Sequence, residues 1–305
     1  MYNIVFLIVT YNGEKYIEKC ISSIKNYCKD SKIIVVDNNS EDDTRSILKK
    51  LPIDDVILLK NNIGFGKANN IAFKRAISYK ADLFFLINQD VYFFSGNFNK
   101  FIKIAFDNFK NNYFGIISPF HLAPNQKDFD FKFKDYISSK NTPHLLKDLE
   151  NQNELSKVYA SKSINAAAWL VSKETIVKVG LFDPIFHHYG EDTDYINRLK
   201  FHNFKIGVLP NFKVVHNRQQ FENFNKDILY YKLKVWTLVH FKNINTNLIS
   251  LFIKYLIYLY KRIKKNSGHF NLMYCKILIY AILNLKRITF SRRVCKRYGA
   301  FLNVD

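Results

Sequence analysis

Glu191, Asp192 and Asp194 crowd three carboxylates into four consecutive positions just after Gly190. Like charges this close raise the pKa of at least one of them, as a general base working near neutral pH requires. Ordinary placement of acids at a helix N-terminus explains Asp194 equally well and could extend to Glu191. Asn88, Gln89 and Asp90 follow an apolar run, with oxygen-bearing side chains at alternate positions aimed at one point. A hard divalent cation, Mg2+ or Mn2+, is held in this way by one or two protein oxygens and a ligand's phosphates, although polar residues also simply end many strands. Asp37 closes another apolar run, where a carboxylate can accept from a base or ribose or merely shape the Asp37-Asn38-Asn39-Ser40 turn. Gly64 and Gly66 let backbone approach a ligand ahead of a helix, or serve a tight turn. His216, at the end of a later apolar run, is either a metal ligand or a satisfied structural group. Trp169 reads as a wall against a sugar face or as core.

These residues need a frame that gathers them. Ile4 to Val9, Lys32 to Val36, Val56 to Leu59 and Leu83 to Ile87 are short, nearly continuous apolar runs, and helical spacing follows at Tyr16 to Ile24 and Lys67 to Ile77. Alternating strands and helices of this kind predict a mostly parallel α/β sheet covered on both faces, with ligands gathering at the carboxyl ends of its strands. A helix is expected from Glu191 to about Phe201, then short strands at Lys205 to Leu209 and Phe212 to Val215. The polar, aromatic stretch from Phe120 to Tyr159 has weak periodicity and reads as an insertion or an excursion facing the acceptor.

The chain has 305 residues, 48% of them hydrophobic, enough for one large domain or a domain with an appendage. Its formal net charge is +20, and from Phe221 to Asp305 there are 16 Lys/Arg against 3 Asp/Glu. That basic, aromatic tail suits an anionic surface, nucleic acid or membrane, unless it only reflects a coding bias toward Lys. An apolar stripe at Leu248, Phe252, Tyr255, Leu259 and Ile263, with Lys254, Lys261 and Lys265 on another face, predicts an amphipathic helix. Leu272 to Leu285 is interrupted by Lys276 and falls short of the roughly 20 apolar residues that span a bilayer, so this part is expected to lie on a membrane. The lysines flank apolar stripes instead of interleaving with loops, which argues against nucleic acid as the partner. The four cysteines have no metal-site spacing and suit a reducing compartment. The apolar run Ile4 to Val9 lacks a basic lead and is too short for a signal peptide core.

Taken in order, Val9-Thr10-Tyr11-Asn12, Val36-Asp37-Asn38-Asn39-Ser40, Asn62 to Asn70, Asn88-Gln89-Asp90, Gly180-Leu181-Phe182-Asp183-Pro184, Glu191-Asp192-Thr193-Asp194 and His216 resemble the family 2 glycosyltransferases of the GT-A fold. The likeness is to the rhamnosyltransferase-like branch that acts in bacterial surface polysaccharide synthesis, and it covers roughly Ile4 to His216. It implies a catalytic domain over residues 1–220 and a basic amphipathic helical tail over 221–305. It also implies direct displacement with inversion at the sugar's anomeric carbon, with Asp192 as base and Glu191 positioning the acceptor or tuning Asp192. Donor contacts would fall to Thr10, Tyr11, Asn12, Asp37, Asn39, Gly64, Lys67, Asn69, Asn88 and Gln89. Asp90 resembles the last acid of the family's DxD metal motif and His216 the His completing its metal site; Asn88 departs from the motif's first acid and implies weaker charge compensation. The implied partners are a dTDP- or UDP-linked sugar, a saccharide acceptor, lipid-linked where the enzyme works at a membrane, and the inner face of the cytoplasmic membrane.

Two rivals are weighed against this reading. A sugar-phosphate nucleotidyltransferase would need a Gly-rich N-terminal loop with a basic residue, which Thr10-Tyr11-Asn12-Gly13-Glu14 lacks. A non-catalytic scaffold with the same fold has Asn88 in its favour and the Glu191-Asp192 pair against it.

Overall fold

The computed structural model describes residues 2–151, 155–218, 226–265 and 269–303. The chain opens with β1 (Ile4–Thr10), α1 (Ile17–Tyr27), β2 (Lys32–Asp37), α2 (Thr44–Leu48), β3 (Asp55–Leu58), α3 (Phe65–Ser78) and β4 (Leu83–Asn88). It continues through β5 (Val91–Gly96), α4 (Phe98–Asn111), β6 (Phe114–Leu122), α5 (Phe133–Ile137), α6 (Leu145–Glu150), β7 (Tyr159–Ser161), β8 (Ala168–Ser172), α7 (Lys173–Val179), α8 (Glu191–Phe201) and β9 (Lys205–His216). Among the described residues four helices follow: α9 (Lys226–Lys242), α10 (Leu248–Lys265), α11 (His269–Leu283) and α12 (Leu285–Cys295).

Among the described residues one sheet runs in the order β3-β2-β1-β4-β8-β6-β9-β5, with β7 also on β9. The first four strands are parallel, as the apolar runs predict, and β8 is reversed against β4. Side chains of a strand alternate between faces, so Val5, Leu7 and Val9 enter one core and Phe6 and Ile8 the other. In the second core the rings of Phe6, Phe85, Phe98, Phe101 and Phe212 are stacked, tilted or T-shaped with centroids 5.3–6.4 Å apart. Each such ring contributes about 1.5–3 kcal/mol by leaving water.

Two sequence expectations change. The two short strands at 205–209 and 212–215 are one strand, β9, whose pairing with β6 passes directly from Val208 to Lys213. Pro210 sits in that gap; lacking an N–H it cannot serve a central ladder, so the strand bulges where periodicity suggested a break. The excursion expected from Phe120 begins later, because β6 runs fully buried to Leu122.

The amphipathic helix α10 forms, but its predicted stripe is divided. Leu251, Tyr255 and Leu259 point inward with Phe186, Leu238, Phe241, Tyr274 and Ile277, whereas Ile249, Phe252, Ile253, Leu256, Ile257 and Tyr260 are exposed. The side chains of Ile263 and Lys265 lie outside the described residues. A helix apolar on more than one face does not reveal by periodicity which face is turned inward. No described helix is long and apolar enough to cross a membrane.

Candidate active site

The loops after β1, β2, β3 and β4 meet at one edge of the sheet, and their own polar side chains tie them together. Asn12 and Asn39 both adopt positive φ, 48° and 70°, a conformation Asn tolerates better than most residues. Asn12 accepts from the Glu41 amide at 2.9 Å and donates its own N–H to Ser40 Oγ at 3.0 Å. Asn38 donates to Asn62 Oδ1 and accepts from the Ile63 amide, both at 2.9 Å. Gln89 accepts from Thr10 Oγ1 at 2.6 Å and the Tyr11 amide at 3.0 Å, and donates to the Tyr11 carbonyl at 3.1 Å. The amide of Gln89 is thus engaged in bracing the first loop. Tyr11 remains exposed at the rim, while Thr10 is buried.

Asp37 is also engaged. It has no exposed surface, accepts from Arg45 Nε at 2.6 Å, and takes the Ser40 amide at 3.2 Å. Arg45 extends to the Leu59 carbonyl and to Asn39 Oδ1. Both sequence readings of Asp37 placed it at a polar strand end; the contacts present are those of the turn.

Gly64, with φ +89°, caps α3 and lies so close to the His187 carbonyl that a Cβ would stand 2.0 Å from its oxygen. Two residues on, a Cβ at Gly66 would meet Phe182 Cβ at 3.2 Å and Glu191 Cβ at 3.5 Å. Lys67 is half-buried in the first turn of α3; Asn69 is buried and donates to the Phe65 carbonyl at 3.0 Å. The glycine loop therefore packs on the first turn of α8, where the carboxylates are.

Burial and then the neighbouring Asp192 push Glu191 up to about 8, so that it is mostly protonated at neutral pH. Burial likewise raises Asp192, against the opposing hydrogen bonds from Thr193 and the Ala166 backbone. Asp194 is directed elsewhere, to Arg198 Nε at 3.0 Å. Burial raises Asp194 as well, against the attraction of Lys242 and Arg198, so the three acids differ in their partners and not in whether burial acts on them.

On the far side of the strand ends, β5 and β9 pair Val91 with His216, bringing Asp90 Oδ2 to 3.4 Å from His216 Nε2. Burial works against ionisation of Asp90, but the His216 ring, and less strongly Arg218, hold its carboxyl below the usual carboxylate range. A carboxylate oxygen facing an imidazole nitrogen, with the Asn88 side-chain oxygen buried and unpartnered two residues away, suits Mn2+ or Mg2+. Lys15, Lys19 and Asn217 line the small cleft at Asp90.

The sequence missed the neighbours of this pair. Asp130, in the excursion between β6 and α5, faces His216 Nδ1 at 3.7 Å and Arg218 Nε at 3.4 Å. From the same excursion Tyr136 is pushed up to about 12 by burial and then by Asp192. Lys132 is held down by burial and Arg218. The excursion thus approaches both the Asp90–His216 pair and Asp192, and nothing in its weak periodicity reveals this. Trp169, by contrast, is core, beside Phe182 and Tyr195.

Asp183, Asp194 and Cys295 are spaced as metal ligands could be. Lys242 Nζ lies 2.5 Å from Asp183 and 3.8 Å from Asp194, so the cationic position of that cluster is filled by a side chain. Five of the buried polar atoms without partners belong to Asn69, Asn88, Asn165, Trp169 and Glu191, on segments that converge on the strand ends. Such atoms are costly unless a ligand or water pairs with them.

Residues 5–154 match the family described as glycosyl transferase family 2. A dTDP-rhamnosyl transferase, RfbF of Shigella flexneri, is 26% identical over 225 residues, 70% of this chain and 69% of that protein. Among solved structures, S. aureus TarS 1-349 in complex with UDP superposes with a TM-score of 0.50 at 17% identity, over 81% of this chain and 68% of that one. The mannosyltransferase PcManGT of Pyrobaculum calidifontis, in complex with GDP-Man and Mn2+, gives 0.56 at 12% identity, over 92% and 75%. Residues 5–154 are therefore a glycosyl transferase family 2 domain, and the chain that carries it is a glycosyltransferase on the GT-A fold.

Proposed function

We propose that this glycosyltransferase moves a sugar, rhamnose in the first instance, from a nucleoside diphosphate donor to an acceptor hydroxyl with inversion, in the synthesis of a surface polysaccharide. The observation that carries the reading is the packing of Gly66 on Glu191, which sets the glycine loop and the paired carboxylates on one wall. A dTDP-rhamnosyl transferase among the relatives supports the donor, and GDP-Man and UDP in structural neighbours support a nucleotide carrier.

Asp192, with its raised proton affinity, takes the proton of the acceptor hydroxyl as the acceptor oxygen bonds to the anomeric carbon. The bond to the donor's diphosphate oxygen breaks on the opposite face, and the electron pair leaves with the diphosphate. Glu191, protonated, donates a hydrogen bond that orients the acceptor or Asp192. Tyr11, Asn39, Lys67, Asn69 and Asn88 stand where the nucleoside and diphosphate would lie; Thr10, Asn12, Asp37, Gly64 and Gln89 shape that floor. Asp90 and His216 would hold a divalent cation, Mn2+ or Mg2+, whose charge offsets that on the departing diphosphate.

Residues 1–220 form the catalytic part of this reading, and the helices after them rest on an anionic membrane at its cytoplasmic face. Exposed Ile249, Ile253, Leu256 and Ile257 lie among Lys254, Lys261 and Arg262, and no Asp or Glu occurs from Ile228 to Val304. Apolar contact combined with basic charge is what an interfacial helix presents to anionic lipid.

The test incubates the full chain with Mn2+ and dTDP-rhamnose, UDP-hexoses or GDP-mannose and records nucleoside diphosphate release. Release is expected from one donor, abolished by EDTA, and about 10^2- to 10^4-fold slower in Asp192→Asn with donor affinity kept. Undiminished release in Asp192→Asn would refute the base assignment; absence of both turnover and donor binding would favour the scaffold.

A further inference from the structure

We propose that Lys242, the last residue of α9, is a positioning residue that sets the first turn of α8 and with it Asp192, so that the C-terminal helices complete the catalytic unit. The proposal rests on the reading of Asp192 as base and carries that unit past residue 220.

The segment Gly180 to Pro184, to which the reaction above gives no role, supplies one side of the contact. Asp183 Oδ1 accepts the Ile185 amide at 2.9 Å, and its Oδ2 faces Lys242 Nζ at 2.5 Å. From α8, Asp194 turns Oδ1 toward the same ammonium at 3.8 Å, while its Oδ2 accepts from Arg198 Nε at 3.0 Å. The Arg198 guanidinium goes on to the Val179 and Leu181 carbonyls at 3.0 and 2.6 Å. Lys242 also donates to Ser291 Oγ and to Cys295 Sγ of α12, and Ser291 donates to Asp183. The Lys242 side chain has no exposed surface. Two cations and two carboxylates therefore form one buried cluster that joins α8, α9, α12 and the segment before α8.

Its place on α8 gives the cluster a catalytic consequence. Successive residues of a helix are about 100° apart, so Asp194 lies on nearly the opposite side of α8 from Asp192. The Asp194 amide donates to the Gly190 carbonyl at 2.9 Å and closes the turn that contains Asp192. At the other end of that turn, a Cβ on Gly190 would stand 2.8 Å from Val235 and 2.9 Å from Val239 of α9. One helix thus grips the turn at both ends, by close packing at Gly190 and by charge at Asp194. Lys242 is held in its own turn, since Arg292 of α12 donates to the Phe241 carbonyl at 2.8 Å and to the Thr246 carbonyl at 2.7 Å. Proton transfer depends on placement, and an error of about 1 Å costs on the order of 100-fold in rate.

The experiment measures dTDP release from dTDP-rhamnose with Mn2+, dTDP binding by calorimetry, and urea unfolding. It compares the full-length wild type with Lys242→Met, the double variant Asp183→Asn/Lys242→Met, and Asp192→Asn. Lys242→Met leaves buried carboxylate in excess and should lower both stability and kcat. The double variant restores the charge balance, so stability should largely recover. Its kcat should stay about 10- to 100-fold below wild type with dTDP affinity unchanged, because Asp194 still lacks its partner on α9. Recovery of kcat together with stability would overturn the proposal, as would a loss of dTDP affinity with kcat intact. Hydrogen exchange of the wild type in increasing urea tests the coupling without any variant: the amides of Asp194, Phe241 and Lys242 should open with the same urea dependence. An opening of α9 and α12 that leaves the Asp194 amide protected would overturn the proposal even if the variants failed to fold. An Asp192→Asn protein as fast as wild type removes the base reading itself, whereas a slow Asp192→Asn beside an unimpaired Lys242→Met removes only the role given to Lys242.

Discussion

Glu191 shows how far a single side chain departs from its ordinary chemistry when the fold encloses it. Its side chain is buried beside Gly66 and Asp192, and one carboxyl oxygen has no partner. Burial first, then Asp192, raises it from 4.5 to about 8. Below about 4.5 the folded and unfolded chains both keep the proton; between about 4.5 and 8 the unfolded chain releases a proton the folded one retains. Stability conferred by this group is therefore lost as pH rises through that window and levels off above it. Glu191→Gln, which cannot ionise, should be the more stable protein at pH 8 by on the order of 2–4 kcal/mol, with no gap at pH 4.5. Urea unfolding of both proteins across that range checks it, and parallel curves would mean that Glu191 is ionised in the fold.

At the scale of elements, the polar strand ends do two jobs, and the sequence does not separate them. Asn12 is a donor candidate, and Asn38 and Asn70 stand in the same polar segments as the other candidates, but each of the three is committed to another part of the chain. Asn70 on α3 donates to the Phe182 carbonyl at 2.8 Å and accepts the Phe182 amide at 2.9 Å, fastening the helix behind the glycine loop to the segment leading into α8. An Asn70→Ala change leaves two buried backbone groups unpaired and should cost about 2–4 kcal/mol. It should also raise KM for the donor, since Gly66 and Glu191 would lose their mutual register. A loss under about 0.5 kcal/mol in urea would show that water replaces the amide at little cost.

For the whole molecule, the helices from Lys226 on are fastened to α8 and the segment before it on one side and expose apolar surface on the other. A Cβ at Gly190, the residue before α8, would strike Val235 and Val239 of α9. Lys242 from the end of α9 lies between Asp183 and Asp194, and Ser291 of α12 bonds to Asp183. The helix carrying Asp192 is thus braced by the same layer whose outer face we place on a membrane. Wild-type protein should sediment with vesicles rich in anionic lipid and release as salt rises, at about 1 kcal/mol per engaged Lys or Arg. Ile253→Glu with Leu256→Glu should weaken sedimentation at least about tenfold, two apolar contacts being replaced by charge of the wrong sign. Unchanged sedimentation would overturn the membrane assignment, and a dimer in sizing experiments, lost in that variant, would give the face to a second copy of the chain.

The sequence by itself determined the parallel half of the sheet, because β1, β2 and β4 are continuous apolar runs that suit only strands buried on both faces. For the site it named candidates by residue type at short spacing: Glu191 beside Asp192, Asp90 after Asn88, and Gly64 and Gly66 at the start of α3. Tertiary structure alone decided which of these side chains stay available and what stands behind them. Gln89 and Asp37 are taken up by Thr10, Tyr11, Ser40 and Arg45, and Asp130 reaches His216 across 86 residues of chain. Periodicity records which positions are apolar, but not which apolar face of α10 meets Phe241 or which distant acid meets a histidine. Those pairings arise between segments remote in sequence, where burial and the need to satisfy every buried polar group choose among partners that local pattern leaves equivalent.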